Sequence, residues 1–520
     1  MNRPLYVYDN WSAYDELSDS IPLTEELAMF QLDQVLRLRR HGVQMDAYLM
    51  DAFWYEREGG YRAWKRDRWP EGPGRWLDAC LENGLTPGLW FPANTVFDLE
   101  VPAAWQDSLA PDKWGLCCFE GGFLDGFVEV LEHWYERGVR IFKFDFADFG
   151  AAPEATRLRL LPSEIRARNC EAYRAAMAGF LARCPEAKLL AYNGFEEAEF
   201  MTWTDRPIRR LVDPRWLDVF ESIYAGDPRP ADLPLPDFWR AVDVYADQMV
   251  RFAHGGGLPL ERIDNCAFMI GVAGTCYRRG VAGWKAALLL SLARGGRVHM
   301  TLGNLELLSD EDAAWFAQAQ ELYRGAPAPL GGIPGRGEAY GYLGEGVATL
   351  VNPSLETKAM QLEGPDWRVA FANGGVSLAG PSEATLGPGA VAVFTPTGTA
   401  FPGCPVTGEW ANGAADAAWR IEGRRASATI QPGKGDLHVL FEQRDGKGLA
   451  VRTAPSTLEI EASSGGVTLP VERVGPAEIW SGISWAYGIL RSPGVPVDVV
   501  MRATDPAVSA IVPRAFFRTS

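Results

Sequence analysis

The chain has 520 residues, which at roughly 150 residues per domain suits three domains, or one large barrel with attachments. With 47% hydrophobic and 22% charged residues it has ordinary globular composition, which excludes a disordered or collagen-like chain. Fifty Lys and Arg against 67 Asp and Glu leave a net charge of −17, which excludes a general electrostatic attraction to nucleic acid or anionic lipid and favours a neutral or cationic small ligand.

In chain order, the opening MNRPLYVYDNWSAYDE lacks the charged-then-apolar design of a secretory signal. From residue 5 to about 325, short apolar runs alternate with amphipathic stretches. The strand-like runs are LYVYD (5–9), VQMDAYLMD (43–51), TPGLWFPA (86–93), VRIFKFDF (139–146), KLLAYN (188–193), WLDVFES (216–222), RIDNCAFM (262–269) and RVHMTLG (297–303). Between them lie helical patterns such as TEELAMFQLDQVLRLRRHG, FLDGFVEVLEHWYERG and SEIRARNCEAYRAAMAGFLARC, several ending in the Gly that suits a left-handed C-cap. Eight strand–helix units predict a (β/α)8 TIM barrel over 1–325. The longest apolar run, AALLLSLA (286–293), is far short of the roughly 18 residues a membrane span needs.

Beyond a Pro/Gly linker the texture changes to short alternating runs, VATLVNPS, WRVAFANG and AVAVFTP, which predict a small antiparallel β domain over 335–398. A further β-sandwich-like domain of open role is expected over 399–520. The 8 cysteines form no CxxC pair and the 5 histidines no ligand-spaced pair, so reduced thiols in a cytoplasmic protein and no metal or organic cofactor are expected. The chain carries 19 Trp, 16 Tyr and 25 Phe; aromatic rings at that level serve core packing or stack on the flat face of a sugar.

In such a barrel, chemistry sits at the C-terminal ends of the strands. Reading those ends gives Asp9, Asp51, Trp54, Trp90, Lys143, Asp145, Asp148, Asn193, Glu221, Asp227 and Asn304, a set of carboxylates, amides and indoles. Glycoside cleavage needs such a set: one carboxylate at the anomeric carbon and another to protonate the leaving oxygen. Lys143 and Asp145 are two apart on a strand and so face the same way, and a cation beside a carboxylate keeps it ionised; a structural ion pair bracing the barrel is the competing reading. Asp264 and Asn265, at the start of the seventh strand, are assigned to a turn near the opposite face. Trp105, Trp114 and Trp203 could line subsites, with core packing the favoured reading.

On five segments the barrel resembles the clan D glycoside hydrolases, most closely the α-galactosidase families 36 and 27. YDNW (8–11) is similar to the opening N-x-W strand, YLMDAFW (48–54) to the D-D-G-W motif, and GLWF (88–91) to the third-strand G-x-W. FKFD (142–145) is similar to the K-x-D strand of the nucleophile, and TLGNLELLSDEDAAWFAQAQELYR (301–324) to the closing strand and helix. The resemblance implies Asp145 as nucleophile of a retaining mechanism, Asp51, Trp54 and Lys143 as glycone ligands, and Trp90 as a wall. Asn193 is added as a substrate contact from its strand-end position. Ala52 and Phe53 replace the second Asp and the Gly of D-D-G-W, removing one contact to the sugar's distal hydroxyls. The family's acid position falls on Ile223, so the acid/base is expected from Asp227, with Glu221 as competitor. The expected function is thus a retaining α-glycosidase, α-galactosidase-like, taking a small-molecule carbohydrate, with no nucleic-acid or membrane partner; homo-oligomerisation stays open. The alternatives are a family 31-like α-glucosidase type and a non-catalytic carbohydrate-binding barrel lacking the acid/base.

Overall fold

The computed structural model describes residues 3–15, 20–195, 212–227, 229–235, 238–264, 268–273, 283–323, 327–380, 382–397, 413–414, 417–479 and 481–518. Its first part is a parallel barrel. The strands are β1 (Leu5–Asp9), β2 (Ala47–Met50), β3 (Thr86–Pro92), β4 (Ile141–Asp145), β5 (Lys188–Ala191), β6 (Ser222–Tyr224), β7 (Ile263–Asp264), β8 (Met269–Ile270) and β9 (Val298–Gly303). They run in the order β7-β6-β5-β4-β3-β2-β1-β9-β8. The expected seventh strand is therefore split in two, β7 pairing with β6 and β8 with β9. The segment bridges the seam, because Arg297 N–H also donates to Glu261 O and Leu302 N–H to Phe268 O.

Around this sheet lie α1 (Glu25–Arg40), α2 (Gly74–Glu82), α3 (Phe123–Glu136), the single turn α4 (Glu154–Arg157), α5 (Pro162–Arg183), α6 (Phe238–Gly255), α7 (Trp284–Arg294) and α8 (Asp310–Leu322). Local chemistry fixes their starts. The Thr24 hydroxyl accepts from Leu27 N–H at the head of α1, and Ser309 with Asp312 closes a capping box on α8. Strand alternation sorts the side chains. On β4, Phe142 and Phe144 turn outward against Phe91 and the helix layer, while Lys143 and Asp145 turn into the barrel.

Residues 328–395 build two antiparallel sheets, of five and three strands, and two five-stranded sheets follow between 413 and 518. In the latter, Gly488 of one sheet lies against Ile460 of the other, so the two pack face to face. A buried polar cluster joins the barrel to the 328–395 sheets. Arg294 of α7 pairs with Asp247 of α6 at 2.6 Å, and the hydroxyls of Tyr340 and Tyr342 donate to the same carboxylate. No helix among the described residues is long and apolar enough to cross a membrane.

Candidate active site

At the C-terminal ends of the strands, inward side chains converge on Asp145. The last residue of β4, it is nearly enclosed. Its Oδ1 accepts three N–H groups: Phe146 N at 2.9 Å, Asn193 N at 3.0 Å and Asn193 Nδ2 at 3.0 Å. Its Oδ2 accepts only the indole N–H of Trp90, at 3.3 Å, among the described hydrogen bonds. The backbone around it is locked. Ala147 N–H donates to Asn193 O, and Gly194, at φ +97°, lies so close that an added Cβ would fall 2.1 Å from Ala147 O. Only glycine fits that approach and that conformation without strain.

Lys143 behaves differently from the expectation of a direct pair with Asp145. Its ammonium reaches across the barrel to Asp9 Oδ2 at 2.8 Å and Asp51 Oδ2 at 2.7 Å, and it lies 4.2 Å from the ring centre of Tyr192. Its effect on Asp145 is through space. Burial pushes the Asp145 carboxyl up to about 6, with Lys143 opposing and the charge of Asp227 adding to the rise. Asp9 is also pushed up, by burial and by the neighbouring Asp51, against the pull of Lys143.

Asp227, three residues beyond β6, comes to the same place. Its Oδ1 accepts Asn193 Nδ2 at 3.4 Å and the Tyr224 hydroxyl at 3.1 Å. One amide nitrogen therefore touches both Asp145 and Asp227. Tyr224 stacks on Tyr192 with centroids 4.6 Å apart, and the Tyr192 hydroxyl donates to Asp264. Six of the sequence-derived site residues, Asp51, Trp90, Lys143, Asp145, Asn193 and Asp227, are thus brought together.

Two are not. Glu221 precedes β6 and lies at the opposite end of the barrel. Its N–H donates to Leu189 O, and its carboxylate is 3.5 Å from Arg297, which precedes β9. The expected strand over 216–222 begins instead as a 3-10 turn, Pro214–Asp218, capped by Asp213, so the true strand starts later and Glu221 falls on its entry side. Trp54 is likewise corrected: its N–H donates to Trp90 O at 2.8 Å and its ring packs on Trp64, Phe91 and Trp134 in the layer between sheet and helices.

Asp264 is a third correction, of the opposite sense. It pairs with Tyr224 at the exit of β7 and belongs to the site side. Asn265 and Trp203 lie outside the described residues. Asp148 caps its own turn through Gly150 N–H, Asn304 accepts from Val272 and Ala273 N–H, and Trp105 packs on Tyr61 and Phe123.

An aromatic wall went unread in the sequence. Phe53, Phe97 and Phe146 are half-buried and stack in series, with centroids 4.7 and 5.1 Å apart, and exposed Trp114 meets Phe97 at the outer end. Phe53 and Phe146 also edge onto Trp90. Three phenylalanines scattered over three strand exits leave no spacing signal, although FADFG directly after Asp145 was open to view. Among the described residues no group of three or more His, Cys, Asp or Glu could hold a metal ion.

The fold of a parallel barrel followed by antiparallel β sheets is found in known proteins. Two solved structures share it. One is a variant of the GH36 α-galactosidase AgaA from Geobacillus stearothermophilus in complex with 1-deoxygalactonojirimycin, at 14% identity and TM-score 0.51. The other is the galactosidase domain of the α-galactosidase–sucrose kinase AgaSK, at 14% identity and TM-score 0.52. Each match covers 76% of this chain and 55% of the other, so the chain spans about half the length of these neighbours. No protein-family model and no curated protein sequence matches the chain. The resemblance to clan D thus holds at the level of fold.

Proposed function

We propose that this chain is a retaining α-glycosidase acting on a small α-galactoside or a close relative, with Asp145 as nucleophile and Asp227 as acid/base. The observation that carries the reading is the shared amide. Asn193 Nδ2 lies 3.0 Å from one carboxylate and 3.4 Å from the other, so the two facing oxygens are no farther apart than the sum of these contacts. An amide within reach of both keeps the two carboxyl groups in one pocket, as a retaining pair roughly 5–5.5 Å apart requires.

Asp145 Oδ2, the less engaged oxygen, attacks the anomeric carbon as Asp227 gives its proton to the glycosidic oxygen and the aglycone departs. Asp227 then takes a proton from water, whose oxygen attacks the same carbon and breaks the glycosyl–aspartate bond, leaving the sugar with its configuration retained. Asp9, Asp51 and Lys143 offer acceptors and a donor to the glycone hydroxyls. The surplus of carboxylate over ammonium favours the positive charge that develops at the anomeric carbon. The wall of Phe53, Phe97 and Phe146 offers an apolar face to the aglycone.

A panel of aryl α- and β-glycosides with wild type, Asp145→Ala and Asp227→Ala tests this reading. The expected result is turnover of an α-glycoside, abolished in Asp145→Ala and restored to Asp227→Ala by azide with formation of the α-glycosyl azide. Undiminished turnover in Asp145→Ala overturns the assignment. Sugar binding with no turnover of any glycoside, seen as a melting shift with 1-deoxygalactonojirimycin, favours the non-catalytic carbohydrate-binding barrel.

A further inference from the structure

The loop that carries Asp227 is held from far along the chain. Trp485, first residue of the strand Trp485–Leu490 and fully buried, donates its indole N–H to Ala231 O at 3.0 Å. Arg452, almost fully buried, donates to Pro230 O at 2.8 Å and pairs with Asp232 Oδ1 at 2.7 Å. Three consecutive loop residues are thus gripped by two side chains that lie 254 and 222 positions downstream of their backbone partners. From the barrel side, Ala231 N–H donates to Ala241 O of α6, and the Arg229 guanidinium lies 4.6 Å from the ring centre of Tyr245.

We infer that the 413–518 β unit is a positioning element for the acid/base, acting through Trp485 and Arg452 on the 225–235 loop. The inference rests on the assignment of Asp227 above. Between β6 and α6 the described loop residues have no regular structure, and such a connection takes its shape from whatever holds it. Proton transfer tolerates little slack, since a misplacement of about 1 Å costs on the order of 10²-fold in rate. An arginine removed from water is costly unless its partner is fixed in place. The Arg452–Asp232 pair therefore selects one loop geometry, and Trp485 sets its depth by a single directed hydrogen bond. Asp227 sits three residues before Pro230 and inherits that geometry, while Tyr224 and Asn193 receive its carboxylate.

The test compares a dinitrophenyl glycoside, whose leaving group needs no proton, with the methyl glycoside of the same sugar, which does. Trp485→Phe keeps the packing and deletes the donor; Arg452→Gln deletes the ion pair; Asp227→Ala is the reference. Both positioning variants are expected to lose about 10–10²-fold in kcat/KM on the methyl glycoside while staying close to wild type on the dinitrophenyl glycoside. Equal loss on both substrates, or no loss on either, overturns the inference, because a purely stabilising contact does not distinguish leaving groups. The two readings separate in the reference arm. If Asp227→Ala discriminates between the substrates and neither positioning variant does, the inference fails and the acid/base assignment stands. If Asp227→Ala itself does not discriminate, both fall.

Discussion

Asn193 holds Asp145 twice, through its backbone N–H and its side-chain amide, both 3.0 Å from the same carboxylate oxygen. Asn193→Ala keeps the first bond and removes the second. A hydrogen bond to a charged group is worth about 1.5–3 kcal/mol, so kcat/KM is expected to fall by about 10–150-fold. Losing a donor also raises a carboxylate's pKa, and the acid limb of the pH–rate profile should move to higher pH. An unmoved limb in steady-state profiles would show that this amide does not tune Asp145.

As the proposed nucleophile Asp145 must be ionised, and burial with the charge of Asp227 raises its carboxyl to about 6. Activity of the free enzyme is therefore expected to fall as pH drops through about 6. Asp227→Asn removes one of the raising charges, so with an activated substrate the limb should shift to lower pH. Stability follows the opposite course. Because the folded value lies above the ordinary one, the folded state holds the proton more tightly, and this group costs stability as pH rises between the two values. Asp145→Asn should gain on wild type over that window, by on the order of 3 kcal/mol at most. Thermal melts of the two proteins on either side of it measure the gap, and a constant gap would contradict the shift.

Lys143 stands 2.8 and 2.7 Å from two enclosed carboxylates. Removing one partner from a buried ionic cluster costs about 3–5 kcal/mol, because the remaining charges lose compensation without regaining water. Lys143→Met is expected to lower stability by that amount and to raise Asp145 further, moving the acid limb upward. Urea unfolding at neutral pH, read as a shift in midpoint with the slope unchanged, checks the first expectation.

Gly194 leaves no room for a methyl group, since the nearest atoms to an added Cβ are backbone atoms of Ala147. Gly194→Ala should destabilise by about 1–3 kcal/mol. It should also reduce kcat more than it raises KM, because the displaced strand exits carry Asp145 and Asn193. A loss confined to KM would mean the strain is absorbed elsewhere.

Much of this site is readable in the sequence wherever side-chain alternation and strand ends coincide. FKFD gives both the direction of Lys143 and Asp145 and the terminus of β4, because a parallel strand with aromatic residues outward leaves no other face for charges. The (β/α)8 plan and its antiparallel followers were legible in the same way. Strand six was not, because WLDVF reads as an apolar run whether it is extended or wound into a 3-10 turn, and the difference is made by the Asp213 cap. Trp54 failed for a different reason. It lies past the strand end, where the period of two no longer dictates direction, and the packing of Trp64 and Trp134 decides it. Asp264 was misplaced because the seventh barrel position is split into two-residue segments with no periodicity to measure. The partnership of Asp145, Asn193 and Asp227 joins three strand exits, and nothing local in the chain records it.

Phe146 belongs to two structures at once. Its ring is the inner panel of the aromatic wall, stacked on Phe97, and its N–H is one of the three that grip Asp145. The N–H belongs to the backbone, so any residue but proline at 146 keeps the grip on Asp145 while it remakes the wall. Phe53 and Phe97 make none of the described hydrogen bonds to Asp145, and their rings touch Trp90 and Trp114 at the two ends of the wall. A lineage adapting to a new ligand, or a library built to find one, would accumulate its changes at 53, 97 and 146 and avoid proline at the last.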